Sequence, residues 1–239
     1  MCTLTYVPTQ SGFIITSNRD ESIKRGKAIP PQVHAHGAVN ILMPQDPDKS
    51  GTWIGVSEKG RVVVLLNGAL KPHEHRPPYR MSRGLVLLDS FGFDSFERFV
   101  NEHDFKGIEP FTIIAIHRGQ RVTDFRWDGS TIHRRQVQSA EPHVWTSAQM
   151  YSPSVHEATV KRFTHFLANH SQAPDSLIEF NRQETYERKM QIAGEPMFDF
   201  LRTVSISSIE VHPTEARFVY CDLTDETVHE SSIAITTTP

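Results

Sequence analysis

At 239 residues, 38% of them apolar, the chain is long enough to bury the core of one sizeable domain, and a single domain over residues 1–239 is expected. Its formal charge of −3, with acidic and basic residues interspersed, gives no electrostatic footprint for nucleic acid or an anionic membrane. No stretch approaches the roughly 20 apolar residues of a membrane span. The first residues also lack the basic start, apolar block and small-residue cleavage site of a secretory signal, so a soluble, cytoplasmic protein is expected. Only two cysteines occur, Cys2 and Cys221, which builds no disulfide framework and suits a reducing compartment.

Residues 3–7 and 13–17 carry apolar and β-branched side chains around the turn residues Thr9, Gln10, Ser11 and Gly12, and are predicted to pair as a hairpin. Such a hairpin sets two strand ends side by side, Cys2 at the start of one and Asn18-Arg19-Asp20-Glu21 at the end of the other. Residues 26–47 are rich in proline, histidine and polar side chains, which predicts a long loop with one short strand at 33–36. Residues 53–57 and 61–66 flank the turn Glu58-Lys59-Gly60. The second is an unbroken apolar run ending at Asn67, as expected of a strand covered on both faces.

Helical spacing follows at 83–91 and 94–102, with Ser82 and Asp94 as caps. Residues 111–117, 121–127 and 131–137 predict a three-stranded meander turning at Gly119 and at Asp128-Gly129. Residues 154–168 are amphipathic with a helical period, and a second helix is predicted over 174–182. The charged segment 184–196 reads as an exposed loop, ahead of strands at 203–211, 217–223 and 228–235. Strands at both ends with helices between them predict stacked antiparallel sheets with helices outside.

Five ordered segments carry a family resemblance: Met1-Cys2, Asn18-Arg19-Asp20-Glu21, Gly51-Thr52-Trp53-Ile54-Gly55-Val56, Leu66-Asn67 and Ser82-Arg83-Gly84. They resemble the NRDE family, that of the transport and Golgi organisation 2 proteins, with Thr146-Ser147 and Arg202-Thr203 as looser anchors. That family is similar in turn to the N-terminal nucleophile hydrolases, particularly the cysteine branch of penicillin V acylase and bile salt hydrolase. The resemblance implies an α+β fold, a four-layer αββα sandwich of antiparallel sheets.

It also implies roles. Cys2, exposed by removal of Met1, would be the nucleophile and its own α-amine the base. A thiol near ~8.5 and an amine near ~8 need little perturbation to react at neutral pH. Asp20 would hold that amine and Arg19 would lend charge that favours a thiolate; the bland alternative is a strand-end ion pair worth little. Asn67 corresponds to the oxyanion-hole asparagine, or else simply closes a buried strand. Asn18 is a substrate-side candidate that can equally cap the following turn. Trp53 is core or pocket wall, Ser147 stands where the acylases carry a second asparagine, and Arg202 is a candidate partner for a substrate carboxylate.

Thirteen histidines include the pairs His34/His36 and His73/His75, whose i, i+2 spacing in a strand points both rings to one face. No third or fourth ligand stands at metal-site spacing and no Cys-x-x-Cys-His motif is present, so no metal and no cofactor are expected. Two functions compete. One is a cysteine hydrolase of an amide or related acyl bond in a small molecule. The other is a non-catalytic protein holding an acyl-lipid, acyl-CoA or haem in the same pocket. Loops 26–50, 72–81 and 184–196 are expected to line the entrance, and nothing in the chain signals an oligomeric state.

Overall fold

The computed structural model describes residues 3–117 and 121–236. The chain opens with β1 (Thr3–Pro8) and β2 (Phe13–Ser22), paired antiparallel with Thr3 across from Asn18 and Pro8 across from Phe13. The hairpin is the expected one, but β2 runs on to Ser22, so the Asn18-Arg19-Asp20-Glu21 string lies inside a strand rather than at its end.

Residues 26–47 correct the predicted loop: they form a second hairpin, β3 (Ile29–His36) and β4 (Val39–Gln45), turning at Gly37 with φ +60°. Pro30 and Pro31 gave the loop signal, yet β3 is an edge strand, where a missing amide proton need not cost a ladder bond. Then come β5 (Ile54–Ser57) and β6 (Arg61–Asn67), with helices α1 (Arg83–Phe91) and α2 (Phe96–Glu102) after them. Ser82 caps α1 as predicted, whereas α2 is capped by Ser95, whose hydroxyl accepts from Arg98 N, and not by Asp94.

The meander is present as β7 (Phe111–His117), β8 (Arg121–Trp127) and β9 (Ile132–Val137), turning at Asp128-Gly129; Gly119 lies outside the described residues. An unpredicted strand, β10 (His143–Thr146), pairs with β1. The helices α3 (Pro153–Asn169) and α4 (Pro174–Gln183) match expectation. The charged segment expected as a loop instead holds α5 (Tyr186–Ala193), which buries Tyr186, Lys189 and Met190 on one face and ends at Gly194 in the left-handed region. The last strands are β11 (Leu201–Val211), β12 (Glu215–Asp222) and β13 (Thr227–Ala234).

Two antiparallel sheets result. One has the order β10-β1-β2-β11-β12-β13, so both ends of the chain meet in it; the other has β3 to β9 in sequence order. Alternate residues of β6 show how they stack: Val62, Val64 and Leu66 meet Leu4, Phe13, Ile15 and Phe218 between the sheets, while Val63 and Leu65 meet Leu87, Phe91 and Phe99 of α1 and α2. Each such side chain contributes on the order of 1.5–3 kcal/mol by leaving water. On the far side, α3 and α4 cover Val7 and Ile14. The four layers form an αββα sandwich.

One irregularity matters for the site. Thr203 pairs with Asp20 and Ser205 with Arg19, so Val204 is an extra residue in β11. Beyond this bulge the strand's alternation is reversed, and Leu201 packs with Tyr151 and Val155 on the helical side. No described helix is long and apolar enough to cross a membrane.

Candidate active site

Because side chains alternate along a strand, β2 divides its charged string between two faces. Asn18 and Asp20 turn toward the helices, and Arg19 turns toward the second sheet. All three are buried, at 0%, 2% and 4% exposure, so each charge or amide needs a partner.

The partners are specific. Asn18 Nδ2 donates to the carbonyls of Asn181 (3.0 Å) and Glu184 (2.7 Å), closing the C-terminal end of α4. Asp20 accepts from Tyr151 Oη and from Thr203 Oγ1, both at 2.5 Å, and Thr203 Oγ1 itself accepts from Tyr186 N at 2.7 Å. Arg19 lies with its guanidinium carbon 4.3 Å from the centre of the Trp53 ring and donates to Asp46 at 3.0 Å. Asp46 also receives Arg25 at 3.0 Å. Arg19 and Asp20 are therefore not a strand-end ion pair, but two buried charges with separate partners on opposite faces of one sheet.

Cys2 lies outside the described residues. Thr3, to which it is joined, is fully buried and sits between two strands, opposite Asn18 of β2 and opposite Thr146 of β10. On the β10 side the next residue is Ser147, buried, whose hydroxyl donates to the carbonyl of Asn67 at 2.7 Å and so ties the two sheets together. Asn67 ends β6, is partly exposed, and makes no side-chain hydrogen bond among the described residues. The Ser147 proton is already engaged by the Asn67 carbonyl.

Arg202 faces Glu21 across β11 and β2 and lies 3.5 Å from Glu187. It shares with Arg19, Arg25, Lys27, Tyr220 and Asp222 a cavity of about 490 Å³ at the end of the sandwich. Burial raises the Tyr220 phenol above its ordinary value there. Of the sequence-predicted residues, Asn18 faces Thr3 across the hairpin, Ser147 follows Thr146 and holds Asn67, and Asp20 is held by Tyr151 and Thr203. Arg19 and Arg202 line the cavity, and Trp53 lies against the Arg19 guanidinium outside the cavity lining.

It misses others. Lys189 of α5, 1% exposed, hydrogen-bonds Thr3 Oγ1 and stands 4.4 Å from the Tyr151 ring centre. The spacing Tyr186, Lys189, Met190 was the available signal: i, i+3, i+4 is one helical face. Tyr151 and Asp46 carried none. His73 and His75 both meet Glu109 Oε1, at 3.1 and 3.3 Å, beside Arg83. No cluster of three or more metal-ligating side chains placed to hold an ion occurs among the described residues. Cys221 is buried, and that burial pushes its thiol up, away from reactivity.

The αββα sandwich is similar to the folds of several solved hydrolases. The chain aligns over its whole length with a mutant conjugated bile acid hydrolase from Clostridium perfringens, covering 97% of that chain at 11% identity and a TM-score of 0.53. It aligns over 96% of its length with penicillin V acylase from Agrobacterium tumefaciens, covering 85% of that chain at 12% identity and a TM-score of 0.52. With the N-acylethanolamine-hydrolyzing acid amidase ortholog of Caenorhabditis elegans it shares 87% of its own length, 92% of the other's, 12% identity and a TM-score of 0.50. At these identities the likeness is one of fold. No curated protein sequence matches. The transport and Golgi organisation 2 family model matches residues 1–228, and the chain belongs to that family.

Proposed function

We propose that this protein is a cysteine N-terminal nucleophile hydrolase of an amide or related acyl bond in a small molecule, with Cys2 as nucleophile once Met1 is removed. The observation that carries the reading is the position of Thr3: buried, in register with Asn18 and Thr146, and one peptide bond from Cys2.

In this mechanism the Cys2 thiol attacks the acyl carbon and its proton passes to the α-amine. The Asn67 amide donates to the oxyanion that forms. The intermediate collapses, the α-ammonium returns its proton to the leaving nitrogen, and the C–N bond breaks to leave a thioester. Water then adds to the thioester, giving its proton to the amine. The acid departs and the thiol is restored. Arg19 favours the thiolate by its charge, and Asp20, fixed by Tyr151 and Thr203, orients the amine.

A second reading is favoured by one contact, the Ser147 hydroxyl held on the Asn67 carbonyl. With that donor engaged, the pocket would hold an acyl-lipid, acyl-CoA or haem without turning it over. The readings separate in intact-mass measurements on protein exposed to p-nitrophenyl acetate. The hydrolase reading expects a chain lacking Met1 that gains one acetyl group, and loss of turnover by about a thousandfold or more in Cys2→Ala. A chain that retains Met1 and leaves Cys2 unlabelled would sink it, whereas ligand binding unaffected by Cys2→Ala supports the second.

A further inference from the structure

The least expected group near Thr3 is a buried lysine. Lys189 sits on α5, in the segment whose composition predicts a loop, and its ammonium is held by the Thr3 hydroxyl and by the face of Tyr151. Tyr151 in turn donates to Asp20, and Asp20 accepts from Thr203, so an unbroken buried chain of polar groups runs from α5 through β2 to the start of β1. A lysine this enclosed is costly to keep, and the fold supplies it with an oxygen and an aromatic face at the beginning of the chain's first strand.

Bond lengths bring the cost into contact with the chemistry. The α-nitrogen of Cys2 is joined to Thr3 through one peptide unit, which keeps it within about 8 Å of Thr3 Oγ1 in any conformation. A positive charge hydrogen-bonded to that oxygen is therefore close to the amine, in a setting where water screens little.

The other charges packed around this point come from several elements. Asp20 of β2 is the carboxylate joined to the same network. Glu184 at the end of α4 is paired with Arg162 of α3 at 2.5 Å, and Glu187 of α5 lies 3.5 Å from Arg202 of β11. Arg19 lies on the opposite face of β2, and His156 of α3 meets Thr146, across from Thr3, at 3.0 Å. Glu184 and Glu187 thus have their own cations, whereas Asp20 and Lys189 both belong to the polar network that meets Thr3.

We propose that Lys189 is a positioning residue of this site, a fixed positive charge at the start of β1 that keeps the terminal amine unprotonated and ready to act as base. The inference rests on the hydrolase reading above. Like charges close together disfavour the second protonation, so removing Lys189 makes the amine easier to protonate and the thiolate harder to form. Both effects move the acid limb of the reaction toward higher pH.

The test follows acetylation of Cys2 by p-nitrophenyl acetate in the full chain, by intact mass, from about pH 5 to about pH 9. In Lys189→Gln, which keeps a donor for Thr3 but not the charge, the limb is expected to rise by about one unit and the rate at neutral pH to fall about tenfold. Lys189→Arg, which restores the charge, is expected to bring the limb back toward the parent's. Should Lys189→Gln fail to fold, Thr3→Val removes the anchoring oxygen and is expected to raise the limb by less. A folded Lys189→Gln, or in its place Thr3→Val, with the parent's limb unmoved would overturn the proposal and leave the lysine a structural fastening. A parent chain acetylated at no pH overturns the hydrolase reading itself.

Discussion

The two halves of β2 are equally buried and opposite in kind. Phe13, Ile14 and Ile15 are at most 1% exposed, and so is Asn18, with Arg19 and Asp20 close behind. The first half is held by shape alone: Phe13 and Ile15 pack between the sheets and Ile14 under α3 and α4. In the second half three side chains are matched to named groups: Asn18 to α4 carbonyls, Arg19 to Asp46 and Trp53, Asp20 to Tyr151 and Thr203. Apolar burial tolerates exchange of one hydrocarbon for another, whereas the polar half depends on particular side chains: Thr203 on β11, Tyr151 before α3, and Asp46 and Trp53 between β4 and β5. On the hydrolase reading proposed above, the amine, the thiol and the oxyanion donor gain their fixed positions from that second kind of burial.

The comparison can be broken at several points. Phe13→Ala is expected to cost about 3–5 kcal/mol in urea-unfolding experiments while leaving the acetylation rate of still-folded protein near the parent's. Asp20→Asn is expected to reverse the pattern, costing about 1–3 kcal/mol and slowing Cys2 acetylation at least about tenfold, because Tyr151 and Thr203 lose their shared anion. Equal kinetic losses in both variants would mean that the two halves are not functionally distinct.

Asn18→Ala sharpens the division within the polar half. Loss of two hydrogen bonds to the end of α4 is expected to cost about 1–3 kcal/mol and to speed amide exchange in the last turn of that helix, with KM unchanged. A raised KM at constant stability would instead make Asn18 a substrate contact.

The smallest expected effect is one of pH. Burial lowers His156 below its usual 6.5, and burial does the same to His103. A histidine held neutral in the fold contributes stability that is present above 6.5 and is lost as pH falls through the lower folded value. Stability is therefore expected to decline on acidification below 6.5, and His156→Gln to flatten part of that decline in urea midpoints measured across the range.

Much of the architecture was legible because it rests on local periodicity. The Val62–Leu66 run, the amphipathic helix after Pro153 and the meander turning at Asp128-Gly129 announce themselves within a few residues. The misses are places where tertiary context overrides composition. Pro30 and Pro31 signal a loop until β3 is seen to be an edge, and α5 signals one until Tyr186 and Met190 are seen packed against Tyr151. In the site, Arg19 and Asp20 were marked by their motif, but Asp46, Tyr151 and Lys189 were not. Tyr151 and Lys189 reach their partners across well over a hundred residues of sequence, and nothing local to them encodes it.

Val204 carries a further consequence. By admitting one residue without a partner on β2, the bulge acts as a frameshift in the strand's inside–outside code, so that three side chains before it exchange sides. Thr203 thereby reaches Asp20, Leu201 joins the helical layer, and Arg202 lines the cavity. Were Val204 drawn into a regular ladder opposite Asp20, all three side chains would pass through the sheet, turning Arg202 toward the helices and Thr203 away from Asp20. A residue with no partner on β2 thus sets which face of the sheet each of its neighbours serves.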